Sequence, residues 1–238
     1  MTREACARMD RIDVPAFKLV FSAWAGIMRA NKDLLVALDG VAGDSDLGLT
    51  MADGFAAAAE YAQSYDGADV GNLLYFAGKA IISKAPSSLG TLLGSGFLEA
   101  GKRFKGQTDA GLERLYEFFE AVEAGVQNRG KARVGDKTFL DGLHPAIGAA
   151  KHLEPGASPE AMQAVTAAAV NGAKATVGMV AKHGRMAIRG EASRAYTDPG
   201  AVVAALLVKG LMDTLEALSS NRECYPASYQ NAANLFDI

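Results

Sequence analysis

Cysteine is scarce in this chain: Cys6 and Cys224 are the only two in 238 residues, and neither sits in a ligand-spaced cluster. That excludes a disulfide framework and a zinc site and favours a reducing cytoplasm. Long apolar runs are missing as well. No stretch approaches the roughly 18 apolar residues of a membrane span, and Arg3, Glu4, Arg8 and Asp10 stand where a secretory signal would be apolar. A soluble, unexported protein is expected. Charge of one sign is not in excess, with 24 basic against 27 acidic residues and no basic tract, which argues against a nucleic-acid or anionic-membrane surface. Alternating β-branched runs and internal repeats are also lacking. What is present is a chain half hydrophobic in composition, long enough for one large core. The expected organisation is a single helical domain over residues 1–218, followed by a polar, irregular tail over 219–238 that could dock on a neighbour.

Helical periodicity accounts for most of that domain. Phe17, Val20, Phe21, Trp24, Ile27 and Met28 recur at spacings of three and four, and Met51, Phe55, Ala58 and Ala59 resume the pattern. Further helices are read over 70–82, 91–104 and 138–150, with Thr138 and Asp141 spaced as a capping box. Leu112, Leu115, Phe119, Val122 and Val126 form another stripe, for which Thr108 and Asp109 are candidate N-caps. Ser158-Pro159-Glu160 and Asp198-Pro199 each place a cap before a proline at the first helical position, opening helices to about residue 182 and over 201–218. The class expected is all-α, an antiparallel bundle or closed barrel of eight or nine helices.

The segment 38–51, LDGVAGDSDLGLTM, breaks this regularity and places Asp39, Asp44 and Asp46 within eight positions among three glycines. Spacings of five and two cannot share one helical face, whereas a glycine-hinged loop can fold all three inward. Carboxylate oxygens suit a hard cation such as Mg²⁺, which keeps open positions for phosphate oxygens. A solvated acidic loop with capping aspartates is the competing reading. An EF-hand is excluded, because the twelfth position counted from Asp39 is Thr50 and not a glutamate. The sequence GFLEAGKR at 96–103 imitates a P-loop, but it has arginine where Ser or Thr is needed and lies within a helical pattern. His144, His152 and His183 have no metal-ligand spacing and read as capping or packing residues.

Four collinear stretches within 20–211, LDGVAGDSDLGLTMADGF, LGTLL, RGKARVGDKTFLDGLHPA and KHGRMAIRGEASRAYTDPGA, resemble the successive motifs of the L subunit of dihydroxyacetone kinases. The resemblance implies an eight-helix antiparallel barrel with a deep nucleotide pocket at one end. It implies ADP or ATP held through two Mg²⁺ ions by Asp39, Asp44 and Asp46. The next four residues in the family read His-Gly-Leu-Asn; here they are Leu47, Gly48, Leu49 and Thr50, so two polar phosphate contacts are altered. The family's phosphate loop falls on 84–88, where Ser87 and Ser88 supply hydroxyls. Gly130, Thr138 and Phe139 match the nucleoside-contacting segment, Arg185 the pocket arginine, and Asp198, Pro199 and Gly200 the loop closing over the base.

By the same resemblance the chain is a kinase subunit that transfers a phosphoryl group to dihydroxyacetone or a related short ketose, such as a tetrulose. The acceptor is bound on a partner K-type subunit, and Asp39, Asp44, Asp46 and Arg185 carry the chemistry. The nucleotide is either exchangeable ATP or a resident ADP recharged by a phosphocarrier protein, and a homodimer is compatible with the pattern. The changes at Leu47 and Thr50 motivate a second reading, a regulatory nucleotide-binding module of the same fold without turnover.

Overall fold

The computed structural model describes residues 10–220 and 232–236; Cys6 and Cys224 lie outside them. Nine α-helices are present among the described residues: α1 Val14–Ala30, α2 Lys32–Gly40, α3 Leu47–Ser64, α4 Val70–Lys84, α5 Ser88–Arg103, α6 Leu115–Gly130, α7 Phe139–Ala150, α8 Pro159–Lys174 and α9 Pro199–Ser219. Each long helix packs on its neighbour in chain order, α1 on α3 and then α3 through α9, and α9 returns to α1, closing an antiparallel ring. Short connections enforce most of this arrangement, since a brief turn returns the next helix alongside the last; the connection from α8 to α9 is the long exception.

Rings from four helices fill the ring's interior. Trp24 of α1 meets Phe21 edge-on at 5.1 Å and Phe97 of α5 at 5.4 Å, while Phe55 of α3 and Phe118 of α6 lie within 6.3 Å of it. Closure between the first and last helices rests on Trp24 too, because its indole N–H donates to the Leu207 carbonyl of α9 at 2.7 Å in a buried setting. α9 is buried on nearly all sides, which explains why its sequence is apolar throughout and not striped.

Two expectations from the sequence are corrected. Thr108 and Asp109 do not cap a helix. Asp109–Gly111 forms a short strand, β2, pairing antiparallel with β1, Arg11–Asp13, with Ile12 opposite Ala110. Both of those residues are fully buried, so the pairing covers an end of the core. α6 then begins at Leu115 after a 3₁₀ turn at Leu112–Arg114.

α8 stops at Lys174 and does not continue to residue 182. The Thr176 hydroxyl donates to the Ala173 carbonyl and accepts the Asp198 N–H, and Gly178 turns the chain with a left-handed φ of 90°. Its N–H bonds the Arg194 carbonyl instead of a helical one.

Ala232 and Phe236 are buried in this chain's own core, and the Ala232 N–H donates to the Asn31 side chain at 2.6 Å. Among the described residues no helix is long and apolar enough to cross a membrane.

Replacing Trp24 with Phe should lower the unfolding free energy by about 2 kcal/mol through lost indole volume and the lost bond to α9. Urea unfolding followed by far-UV circular dichroism measures this, Trp24 being the only tryptophan.

Candidate functional site

All four connections at one end of the ring, those before α3, α5, α7 and α9, surround a cavity of about 1060 Å³. The acidic cup forms one wall. Asp39 lies in the last turn of α2, Asp44 in the turn that follows, and Asp46 at the N-cap position of α3. One carboxylate oxygen from each falls within 4.8 Å of the others.

The turn is not hinged on glycine, as the sequence led us to expect: its left-handed residue is Ser45, with φ 62°. Gly43 serves close approach instead, since a Cβ there would run into the Asp39 carboxylate. Asp39 in turn accepts the Asp46 N–H at 3.1 Å, holding the cup closed.

Burial, and then the nearby charges of Asp44 and Asp39, raise the Asp46 pKa above its ordinary value, while Arg185 opposes the shift. Arg185 reaches across from the connector after α8 and pairs with Asp44 at 2.5 Å. Three crowded carboxylates with only one cationic partner match a hard divalent cation in donor type and spacing.

α3 begins beside the cup without a side-chain cap, because Asp46 is turned toward the cup. The other three helix starts at this cavity, those of α5, α7 and α9, are capped by their own residues. The Ser87 hydroxyl accepts the Gly90 N–H at 3.1 Å, Thr138 and Asp141 form the capping box of α7, and Asp198 accepts the Ala201 N–H at 2.8 Å. The sequence-assigned residues Ser87, Ser88, Gly130, Thr138, Phe139, Arg185, Asp198, Pro199 and Gly200 all line the cavity together with the three aspartates and Leu47.

Gly48, Leu49 and Thr50 are not part of the lining. The first turn of α3 carries them away: Gly48 packs against the Lys32 carbonyl, Leu49 is 49% exposed, and the Thr50 hydroxyl donates to the Leu47 carbonyl.

Residues given no role from sequence complete the walls. Leu92, Val126, Ala132 and Met186 provide apolar surface, and Arg129 and His183 provide polar groups, with His183 paired to Asp136 at 3.3 Å. Lys137 also lines the cavity but is 1% exposed. Little in the sequence marks these, because a helix-end arginine or a turn lysine is usually solvated.

Residues 41–213 match the model of the DAK2 domain. The chain belongs to the DAK2-domain family. Asp44 and Asp46 fall inside the matched span and Asp39 two positions before it.

This DAK2-domain chain is 33% identical over 177 residues to the ADP-binding subunit DhaL of the PEP-dependent dihydroxyacetone kinase of Escherichia coli K12, covering 74% of this chain and 84% of that subunit. It is 30% identical over 210 residues to the L-erythrulose kinase of Pectobacterium atrosepticum, covering 87% of this chain and 35% of that protein. In fold it is similar to the dihydroxyacetone kinase of C. freundii solved with AMP-PNP and Mg²⁺, with a TM-score of 0.60 and 24% identity over 90% of this chain and 36% of that one.

Burial pushes Asp198 up from its ordinary 3.8 to about 7, against the downward pull of the α9 N–H groups and Lys137. Between about pH 4 and 7 the folded DAK2 domain therefore keeps a proton that the unfolded chain has released, so this group's contribution falls as pH rises and levels off above 7. Asp198→Asn keeps a cap that cannot ionise. Urea unfolding across pH 4–9 should show the variant gaining stability relative to the parent up to about pH 7 and holding a constant difference beyond.

Proposed function

We propose that this chain is the nucleotide-holding subunit of a short-ketose kinase of the dihydroxyacetone kinase type. It would bind ADP or ATP with Mg²⁺ at Asp39, Asp44 and Asp46 and pass a phosphoryl group to dihydroxyacetone or a tetrulose held on a K-type partner. The observation that carries this reading is the convergence of three carboxylates at the mouth of a cavity that also meets the uncapped start of α3.

Bound at the cup, the cation would neutralise phosphate charge during in-line transfer; the spacing of the carboxylates is compatible with one ion or a pair. The protein's own part is positioning. The cup's aspartates fix where the phosphates lie, the first-turn N–H groups of α3 offer donors to an anion, and Arg185 supplies a guanidinium at the same place. Leu92, Val126 and Phe139 offer an apolar wall to the nucleoside, and Pro199 and Gly200 line the same cavity. Thr138 and Asp198 serve the helix ends and the cavity at once. Ile188, 87% exposed on the cavity rim, suits contact with the ketose-bearing partner or a phosphocarrier.

A regulatory module without turnover is favoured by one observation: Leu47 stands at the cavity without a polar side chain, and Thr50 spends its hydroxyl on the Leu47 carbonyl. A coupled assay with the partner subunit, supplied with ATP or with a phosphocarrier protein as donor, separates the two readings, since tight nucleotide binding with no transfer to any triose or tetrose ketose would sink the kinase.

For the site itself, MgADP at about one hundred times its Kd should stabilise the parent by about 2.7 kcal/mol, or roughly 5–10 °C in melting temperature. Asp44→Asn combined with Asp46→Asn should abolish that shift. An unchanged shift in the double variant would remove the cup from the nucleotide site.

A further inference from the structure

Lys137 lines the cavity but cannot face a ligand with its amine. Its backbone is left-handed, with φ 62°, between two N–H groups that Asp141 accepts, those of Gly135 at 2.5 Å and Thr138 at 2.6 Å. That turn drives the side chain inward. Its ammonium donates to the carbonyls of Thr176 at 2.8 Å, Ser193 at 2.8 Å and Tyr196 at 2.5 Å. A lysine ammonium has three N–H groups and no lone pair, so its capacity is spent on these three carbonyls. A neutral amine would have two donors and would turn its lone pair on the third oxygen, so the geometry requires the charged form. Burial opposes that form, and the carboxylates of Asp198 and Asp141 favour it.

The three carbonyls belong to the two ends of one segment. Residues 176–196 connect α8 to α9, and the Gly178 N–H donates to the Arg194 carbonyl at 2.8 Å beside Lys137's bonds. The far part of the segment crosses to the cup, where Arg185 pairs with Asp44 and the Arg189 guanidinium donates to the Val41 carbonyl. The connector is therefore held at its base by a lysine and at its tip by two arginines.

We infer that Lys137 is a positioning residue for the cavity: by gathering the carbonyls of Thr176, Ser193 and Tyr196 it fixes both ends of the connector and so sets where Arg185 meets the cup. The strap stands on its own geometry, while its effect on ligand affinity rests on the proposed nucleotide site. Arginine is no substitute, because a planar fork cannot aim three donors as a tetrahedral ammonium does.

The test places Lys137→Cys in a background with Cys6→Ser and Cys224→Ser. The cysteine is then aminoethylated in denaturant and the protein refolded, which rebuilds an ammonium on a stem of lysine's length. Hydrogen exchange of the connector and MgADP titration are measured before and after modification, with and without Arg185→Ala. In the unmodified variant, the amides of Gly178 and Ala181 should exchange at least about ten-fold faster while α1 and α9 keep the parent's protection. MgADP should bind about 10- to 100-fold more weakly. Aminoethylation should restore both, and the affinity loss should largely disappear in the Arg185→Ala background, where there is no arginine left to position.

The inference is overturned by unchanged exchange in the connector, by equal loss of protection in α1 and α9, or by full additivity with Arg185→Ala. If the parent itself does not bind MgADP, the nucleotide reading fails, and the exchange measurement alone decides whether Lys137 is the strap.

Discussion

Alternation of helix direction is the constraint on which this molecule's site depends. In an antiparallel ring every second connection falls at the same end, so the segments before α3, α5, α7 and α9 share one opening although they span more than 150 positions of sequence. The connections before α4, α6 and α8 fall at the opposite end. Helix dipoles largely offset one another in such a ring, because each N-terminus has a C-terminus beside it. The local character of the cavity therefore comes from which helix starts are capped and which side chains turn inward. Ser87, Thr138 and Asp198 cap their own helices, whereas Asp46 turns its carboxylate to the cup and leaves α3 uncapped.

Two acidic environments at this end show how burial and partners divide the work. Asp198 is enclosed and its carboxyl is pushed up to about 7. Asp136 instead accepts bonds from Lys182 and from the Arg133 N–H, which hold its carboxyl below the ordinary range. The first is a cap that tolerates a proton, and the second an anchor that stays charged. Asp136 and Lys137 together bind the α6–α7 turn to the segment that follows α8.

Most helices were legible because their signals are local. Ser158-Pro159 and Asp198-Pro199 begin helices where a cap and a proline predict, and Thr138 with Asp141 forms the expected box. The apolar stripe of α1 is the face it buries. Departures arose where distant groups outcompete local preference. Asp109 looks like a cap but pairs its strand with residues a hundred positions away. The alanine-rich run of α8 ends early because Thr176 finds Asp198 and Gly178 finds Arg194.

At the site, the three aspartates were visible as a cluster, but the reason for Gly43 is room for Asp39, which only coordinates reveal. The burial of Lys137 was invisible, since nothing in a polar turn announces three carbonyls gathered from the segment between α8 and α9.

A segment whose two ends are gathered at one point can change length between them without moving the helices it joins. Closing a loop costs little more as it lengthens, roughly 0.6 kcal/mol for each doubling, so insertions between Gly178 and Ser193 would leave α8 and α9 in their places. The barrel thereby carries an exchangeable rim. Change along that rim leaves the packing of the helices beneath it untouched.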